Sequence, residues 1–553
     1  MSQSVALRTA ADGSSIWLPG IVACIAHHLP ANEVASTLRL IDKTTSQQFA
    51  HHKTLRLSLP SPIHVFRERW GRPGAFHALS RKQRLQLLCL TAASGSVANM
   101  EVALVSAGLD LRCELLEAAA AAGQLDMCKV LRARGCPWGR SLSAAAMAGH
   151  RHVCQWMLAS GCPLCEDIVC GAVRGGQEDL MQWLLTELQG RLNDDVNGLC
   201  CSLLGAAAEY LLLAALQRLW QQLMAGRHGS NLQQQLEQLK QAHQGDILAA
   251  AACSLTPDWQ AKVEWLEGLG YPRKARACTA AVLADNGDAG GARLQWLRGR
   301  GYPLKADVAN AAVYSGNLAA LRFLVEQAGV RPTCDQLDMA EAARQGHLAV
   351  LQYLHASGLP VNTRSVAEEA ARAGHLPLVA WAVEDLGVAP ADGAANLLDC
   401  TAASGNLELL NWLHVRGWAL GRRAIPNGVE SGCEEALEWL VERGCPFPLD
   451  GGAYLGAADN GDLAMLRCLH RLGCPWRPPG KLLADCIRSV VSVAVLQCLL
   501  DLGCPGMDWD AAVKSLEGRA QLQPWESRER RAALLAWLGE ERLRRRPPGA
   551  QGA

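Results

Sequence analysis

Apolar residues recur along this chain in a short phrase that returns many times. The phrase begins with an Ala-rich stretch and a Gly, and apolar residues follow that Gly at positions +2, +5 and +8, commonly with an aromatic residue at +7. After Gly346 these residues are Leu348, Leu351, Leu354 and Tyr353. This spacing lies on one face of a helix of about three turns. The pattern therefore predicts a helix after each such Gly, which we call a hinge glycine.

Two glycines divide each copy into a pair of helices. The hinge glycine permits the left-handed conformation that ends the first, Ala-rich helix, and the next residue, such as Asn317 or Asp462, can cap the second helix. A closing Gly, at +12 in six of nine copies, ends that second helix. The clear hinge glycines, 26 to 31 residues apart where they are neighbours, are Gly123, Gly149, Gly176, Gly316, Gly346, Gly374, Gly405, Gly432 and Gly461. With degenerate copies in the gaps, we predict an all-α solenoid of about fourteen helical hairpins.

The cysteines and the charges narrow the class of protein. Five of the 22 cysteines share one Gly-Cys-Pro slot, which holds Tyr271, Tyr302 or Leu359 in other copies, so we interpret the slot as a buried apolar position. Such cysteines fit a reducing environment, and we expect an intracellular protein, cytoplasmic and/or nuclear. The net charge of zero gives no electrostatic footprint for nucleic acid, and the most apolar stretch is too short to span a membrane. We therefore expect neither nucleic acid nor membrane as a partner.

The repeated phrase resembles the middle of the ankyrin repeat, which reads Leu-Ala-Ala-x-x-Gly-His-Leu and ends in Leu-Leu-x-x-Gly. Residues 342–348 are one example in this chain. The period here is shorter than the 33 residues of the ankyrin repeat, and the Thr-Pro-Leu-His opening is missing. The resemblance implies an ankyrin-like solenoid whose projecting β-turn finger is trimmed to a loop. Tetratricopeptide repeats are the rival interpretation, but they have a longer period and lack the Gly-His-Leu hinge.

The ankyrin resemblance also implies where a partner binds. Ligands of ankyrin stacks usually lie along the concave face made by the first helices and the loops. We predict that the residues of this face that contact a protein partner are Glu341, Arg344, Gln345, Glu368, Glu369, Arg372, Asp459 and Asn460. Their charges are mixed, so they do not identify the partner.

Composition divides the chain into five segments. The repeat array is predicted over residues 86–540, with an irregular, Gln-rich segment near 187–247. Residues 61–85 are predicted to connect the array to an N-terminal unit over residues 16–60. Residues 1–15 and the basic tail 541–553 are predicted to be disordered.

The N-terminal unit resembles an F-box, a helical motif that opens with Leu-Pro. The matching residues are Leu18, Pro19, Ile25, Leu29, Val34, Leu38 and Ile41. In F-box proteins these helices dock onto the adaptor subunit of a cullin-type ubiquitin ligase. Gly20 stands where the family commonly has an acidic residue, and no Trp follows Lys43. The alternative is that these helices merely cap the first repeat.

No residue pattern favours an enzyme, a cofactor or a metal site. His150, His347 and His375 each follow a hinge glycine, where a capping role is expected. The chain has no phosphate-binding Gly-rich loop and no nucleophile elbow, and Cys162 and Cys165 lack a second pair at zinc-finger spacing. We therefore predict a non-enzymatic protein-binding protein. It is either an F-box-type substrate receptor of a ubiquitin ligase or a plain scaffold with no ubiquitin role.

Overall fold

The fold is all-α, and the computed structural model describes it over thirteen stretches of the chain. These stretches are 19–164, 167–187, 196–225, 246–284, 289–333, 336–359, 361–390, 397–448, 450–506, 509, 513–514, 516 and 525–544. Within them the β contacts are limited to a single antiparallel bridge between Leu109 and Asp462. The predicted all-α helical solenoid is confirmed. Residues 1–15, Leu18, Gln233 to Gln244 and the tail beyond 544 lie outside the described residues.

The N-terminal unit consists of three short α-helices and a 3₁₀ helix, Leu38–Leu40, with a core of their own. The α-helices are α1 (Pro19–His28), α2 (Ala31–Ser36) and α3 (Lys43–Gln48). Val22, Val34, Leu38 and Phe49 form this small core, separate from the core of the repeats. A further helix, α4 (Ile63–Trp70), lies in the predicted connector, and its Phe66 packs into the core of the repeats.

The array contains fourteen helix pairs in the described part of the chain. The first helices are α5 (Arg81–Ala93), α7 (Cys113–Ala121), α9 (Ser141–Met147), α11 (Asp167–Arg174), α13 (Val196–Tyr210), α15 (Asp246–Cys253), α17 (Ala275–Ala284), α19 (Ala306–Tyr314), α21 (Gln336–Arg344), α23 (Thr363–Ala373), α25 (Leu397–Ala402), α27 (Ala424–Ser431), α29 (Gly452–Asp459) and α31 (Lys481–Arg488).

The second helices alternate with the first. They are α6 (Val97–Ala107), α8 (Leu125–Ala133), α10 (Arg151–Ala159), α12 (Glu178–Glu187), α14 (Leu213–Ala225), α16 (Trp259–Gly268), α18 (Ala289–Gly299), α20 (Leu318–Arg322, extended by a π-helical turn Phe323–Gln327), α22 (Leu348–Ala356), α24 (Leu376–Glu384), α26 (Leu407–Val415), α28 (Glu434–Glu442), α30 (Leu463–Arg471) and α32 (Val493–Asp501). A longer helix, α33 (Trp525–Arg544), follows the last pair.

The hinge glycines adopt the left-handed conformation that their position predicts. Gly316, for example, has φ +72°, and a Cβ on it would lie 2.3 Å from the ring of His347 in the next repeat. The closing glycine Gly417 has φ +84°, yet a Cβ there would meet nothing within 4 Å. A hinge of this kind therefore requires Gly for both backbone conformation and close approach, whereas this closing position requires it for conformation alone.

Two roles recur among the residues that follow the hinge glycines. The side chain of Asn317 accepts a hydrogen bond from the backbone N–H of Ala320 at 3.0 Å and so caps its own helix. His375 makes no such cap; its Nε2 lies 2.9 Å from the carbonyl oxygen of Arg344 in the preceding repeat. The expected capping role is thus correct for Asn and wrong for this His, which links neighbouring repeats instead.

The two rows of helices differ in how closely they pack. Consecutive first helices contact each other more extensively than consecutive second helices do. Ala side chains such as Ala342 and Ala343 are buried at these contacts and let the first helices approach. Because one row is packed more closely than the other, the array curves, with the first helices on its inner side.

Part of the segment expected to be irregular continues the array. Helices α13 and α14 pack in register between their neighbours, with Leu203, Leu204 and Leu216 buried. Their connection has no hinge glycine, which is why the phrase is not recognisable there. Instead, Lys262 Nζ donates to the carbonyl oxygen of Ala208 at 2.9 Å, and side chains from the next repeat satisfy the end of α13.

The curved array returns to its own beginning. Arg84 of α5 donates to the carbonyl oxygens of Ala107 and Gly432, each at 2.7 Å, and forms an ion pair with Asp462. The side chains of Arg84 and Asp462 are 1% and 0% exposed. Asp462 also caps α30 by accepting a hydrogen bond from the N–H of Met465 at 3.0 Å. The ends of late first helices therefore lie on the beginnings of early ones.

Backbone contacts extend this closure, which we call the seam and define as the contact of residues 77–110 with residues 432–464. The N–H of Asp110 donates to the carbonyl oxygen of Gly461 at 2.9 Å, and the N–H of Ala464 donates to that of Gly108 at 3.0 Å. At the edge of the seam, His77 lies 2.9 Å from Glu438. Helix α33, which follows the last repeat, also contacts an early repeat, because its Glu529 pairs with Arg132 of α8 at 3.0 Å.

Candidate binding surface

The inner side of the array carries one exposed residue near the end of many first helices. We call this row the inner ridge. Tyr314, Met147 and Leu283 are 45%, 47% and 44% exposed, although the residues directly before each of them are buried. The members of the inner ridge are Met147, Arg174, Leu283, Tyr314, Arg344, Arg372, Glu430 and Asp459. Each of these residues lies in the last turn of a first helix, just before the hinge. At that point the side chain is directed away from both neighbouring first helices.

Four of the predicted contact residues form a continuous ion-pair chain on this ridge. Arg344 lies 2.9 Å from Glu341 of its own helix and 3.5 Å from Glu369 of the next repeat, and Glu369 also pairs with Arg372. The two arginine side chains are 55% and 42% exposed, whereas the two glutamates are only 14% and 19% exposed. The glutamates therefore hold the arginines in place, and the arginines are the groups that a ligand can reach.

The other predicted contact residues fall into two groups. Gln345 donates to Glu341 at 2.8 Å and Glu368 pairs with Arg364 at 3.2 Å, so both belong to the same neighbourhood. Asp459 and Asn460 lie at the hinge end of α29, next to the seam. Burial is the main cause that raises the pKa of Asp459, while a hydrogen bond with Ser489 opposes it. The eight predicted residues therefore form one cluster of six and a separate pair.

The N-terminal unit has a second exposed surface, and this one is apolar. Ile21, Ile25, Leu40 and Ile41 are 44%, 36%, 63% and 44% exposed. Among the F-box-like residues, Val34 and Leu38 are buried in the small core and Leu29 is half-buried. Pro19, Ile25 and Ile41 are exposed. Of the four large apolar residues, only Ile25 and Ile41 follow from the motif; Ile21 and Leu40 do not.

A buried asparagine ties this unit to the segment that follows it. The side chain of Asn32 donates to the carbonyl oxygens of Arg56 and Leu59 at 2.8 and 3.0 Å, and it accepts from the N–H of Arg56 at 2.8 Å. Asn32 is 1% exposed. It does not belong to the apolar pattern, so sequence reasoning had no signal for its role.

The polar group that most resembles catalytic chemistry is closed to solvent. Lys262 Nζ donates to Ser254 Oγ at 2.8 Å, and burial lowers the pKa of Lys262 to about 8. Ser254 and Lys262 are both 0% exposed. At the end of α13, Ser254 Oγ donates to the carbonyl oxygen of Glu209 and Lys262 Nζ donates to that of Ala208, and Ser254 Oγ also accepts from the N–H of Thr256. A substrate has no access to this serine, so the pair acts as a helix cap.

Buried thiols account for the cysteine-rich composition. The five cysteines of the Gly-Cys-Pro slot are 0% to 8% exposed, as the slot predicts. Tyr271 and Tyr302, which occupy the slot in two other repeats, are each 3% exposed. Burial raises the pKa of Cys136 and Cys474 to about 12. Thiols of this kind are protonated at neutral pH and poor nucleophiles. In the described part of the chain no group of three or more His, Cys, Asp or Glu residues is arranged to hold a metal ion.

Comparison with known proteins adds little to this picture. No family model and no curated protein matches the chain. Among solved structures, the pentatricopeptide repeat protein PPR10 from maize matches with a TM-score of 0.27 and 11% identity, over 95% of this chain and 87% of that chain. The same protein in complex with an 18-nt psaJ RNA element matches with a TM-score of 0.26 and 11% identity, over 94% of this chain and 88% of that one. The chain is a helical-repeat protein, and these values place it no further.

The exclusion of nucleic acid as a partner is corrected. Two of the matching solved structures are helical-repeat proteins crystallised with an RNA element, and that finding conflicts with the exclusion. The net charge of the whole chain does not exclude nucleic acid, because binding depends on local charges and stacking groups. As for the membrane, the described residues contain no helix that combines the length and the apolar character needed to cross one.

Proposed function

We propose that this chain is a non-enzymatic binding protein whose inner ridge holds a segment of a protein partner. The observation that carries the proposal is the ridge itself, which presents one exposed side chain from one repeat after another along a single surface. Arg344 and Arg372 are held by ion pairs with the largely buried Glu341 and Glu369. Tyr314 and Met147 offer apolar contact area. Pre-positioned arginine and aromatic side chains are the groups that contribute most at protein interfaces. The ankyrin resemblance of the hinge supports the same use.

Site-specific photo-crosslinking tests this proposal. The photoreactive residue p-benzoylphenylalanine replaces Tyr314 or Arg344 on the inner ridge, and Val415 serves as the matched control because it is 82% exposed on the second helix α26. We expect adducts from the two ridge positions whose size does not change on treatment with nuclease. Equal adduct formation from position 415 would show that the ridge is not the binding surface. Adducts that nuclease shortens would show that the partner on the ridge is a nucleic acid and not a protein.

Charge reversal gives an independent check on the same surface. The quadruple variant Glu341→Arg, Arg344→Glu, Glu369→Arg, Arg372→Glu reverses every charge of the ion-pair chain while oppositely charged residues still alternate along it. We expect this variant to lose the photo-adduct formed at position 314. An adduct of unchanged yield would mean that the ion-pair chain plays no part in binding.

The N-terminal unit favours a second function, docking to the adaptor subunit of a cullin-type ubiquitin ligase. Its support is the apolar surface of Ile21, Ile25, Leu40 and Ile41, which lies outside the small core. A pull-down with the purified adaptor compares the intact chain with an Ile25→Ser, Leu40→Ser, Ile41→Ser variant and with Val105→Ser, a control at a residue that is 83% exposed on the array. Capture by the intact chain and the control, and loss in the triple variant, is expected. Absence of capture by the intact chain would leave the unit as a cap of the array.

A further inference from the structure

The seam converts the inner surface into the wall of a channel. Helix α27 ends on the beginning of α5 through Gly432 and Arg84, and α29 ends on the beginning of α7 through Gly461 and Asp110. The same offset of eleven first helices separates both pairs. One turn of the array therefore stacks on the next, with the hinge ends of the first helices in one turn against the loop ends of the first helices in the other.

The number of helices in a turn sets the width of the channel. Eleven helices packed side by side at about 8–10 Å give a ring of helix axes roughly 30 Å across, and subtracting one helix diameter of about 10–12 Å leaves an opening of roughly 20 Å. Small, half-buried residues on the inner side, such as Ala118 and Ala144, take nothing further from this width. A single helix, about 10–12 Å in diameter, passes through such an opening, whereas a folded domain of about 30 Å does not.

Local features show that the closure is a built contact. A Cβ on the closing glycine Gly108 would lie 2.8 Å from Ala464 across the seam, whereas the closing glycines Gly135 and Gly417 have open space at that point. Gly432 approaches both Asp462 of the next repeat and Arg84 of the first repeat within 3 Å of its Cβ position. Gly108 thus accommodates a neighbour where other closing glycines have none, and Gly432 accommodates two neighbouring repeats where an ordinary hinge glycine has one.

We propose that the array is a closed ring whose channel admits one narrow linear segment of a partner protein, a single helix or an extended chain, and excludes folded domains. This inference rests on the proposed function for the nature of the occupant. It adds the kind of partner that fits: the segment reaches the inner ridge end-on, from a terminus or from a loop long enough to enter. Tyr314, Arg344 and Arg372 then contact it from the channel wall.

Size-selective labelling tests the channel without a partner. The azide-bearing residue p-azidophenylalanine replaces Tyr314, or Val415 as the outer control, in the full chain, so the native cysteines do not interfere. Three strain-promoted alkyne probes are compared: a small dye, a 20-residue helical peptide and a folded 100-residue domain. We expect the first two to label both positions at similar rates. The domain should label position 314 roughly tenfold or more slowly than position 415, because about 30 Å does not enter about 20 Å.

Equal labelling of the two positions by the folded domain would overturn the channel. A seam variant guards against a purely local effect at position 314. Arg84→Met removes the cation of the seam, and it should restore domain labelling at position 314 once scattering shows that the ring has opened. If Arg84→Met leaves the ring closed, Leu109→Asp, which places a second carboxylate beside Asp462, serves instead. An opened ring that still excludes the domain would also contradict the proposal. If photo-crosslinking yields no adduct while the folded domain is still excluded from position 314, only the proposed function is refuted.

Discussion

The buried ion pair at the seam allows a sharp prediction of how the ring opens. In Arg84→Met the guanidinium is lost while the aliphatic volume is largely kept. Arg84 makes hydrogen bonds to Ala107, Gly432 and Asp462, and its side chain is 1% exposed. Its removal leaves the Asp462 carboxylate buried without its ion-pair partner, which costs about 3–5 kcal/mol. A cost of this size is comparable to the stability of many whole domains.

The array has a way to avoid this cost that a globular core lacks. Each repeat contacts mainly its neighbours, so the seam can separate while the helix pairs stay folded and Asp462 becomes hydrated. We therefore expect Arg84→Met to increase the radius of gyration measured by small-angle X-ray scattering, with an unchanged far-ultraviolet circular dichroism spectrum. The urea midpoint should fall by less than a loss of about 3–5 kcal/mol in the free energy of unfolding would produce, because opening of the seam hydrates the buried charge.

Two further variants make this prediction specific. Adding Asp462→Asn should restore the compact form at least in part, because the amide removes the buried charge and its oxygen still caps α30 by accepting from Met465. Arg477→Met is the matched control, since Arg477 is 14% exposed and pairs with Asp485 away from the seam. An unchanged radius of gyration and an unchanged urea midpoint in Arg84→Met would refute the view that this pair closes the ring.

Three other predictions concern the repeats. Gly316→Ala should destabilise the chain clearly more than Gly417→Ala, whose cost is about 1–2 kcal/mol, because only the hinge position adds a clash with the next repeat to the left-handed strain; equal urea midpoints would contradict this. Lys262 has its pKa lowered to about 8 in the folded chain. The unfolded chain therefore holds more protons between about pH 8 and 10.5, and stability should rise with pH across that window. In Lys262→Met that contribution should vanish, as urea unfolding at pH 7.5 and 9.5 would reveal. Trp439→Ala should cost roughly 3–5 kcal/mol in urea unfolding, since Trp439 is 7% exposed and donates to Asn411 at 2.8 Å; a loss under about 1 kcal/mol would mean that it is not a core residue.

The hinge glycines show how far local pattern carries a prediction. Their left-handed backbone, the Asn and Asp caps and the buried Gly-Cys-Pro slot follow from interactions within about one repeat, so the sequence displays them directly. The pair α13 and α14 was not recognised because Lys262 and Ser254, some fifty residues along the chain, satisfy the end of α13 in place of a hinge glycine. A local phrase cannot reveal a cap supplied by the next repeat.

The candidate binding surface was predicted only in part. The ankyrin resemblance predicts Arg344 and Arg372 as contact residues, and the structure places both among the exposed residues of the inner ridge. That Glu341 and Glu369 hold them, and that Asp459 lies apart near the seam, depends on how successive helices are rotated and stacked. The exposure of Tyr314 and Met147 does not follow from the sequence, since an apolar residue in an apolar phrase gives no sign that its side chain is exposed.

By itself, the sequence determined the unit of this protein: two helices, the glycines that end them and the faces they bury. These properties are local, because helix periodicity, capping and left-handed turns are settled within a few residues. Only the tertiary structure decided that the row of units closes. Arg84 and Asp462 are 378 positions apart, and their meeting depends on a small rotation between repeats that accumulates over eleven steps. A slight change in that rotation would leave the same repeats in an open spiral, so no residue pattern within one repeat encodes the ring.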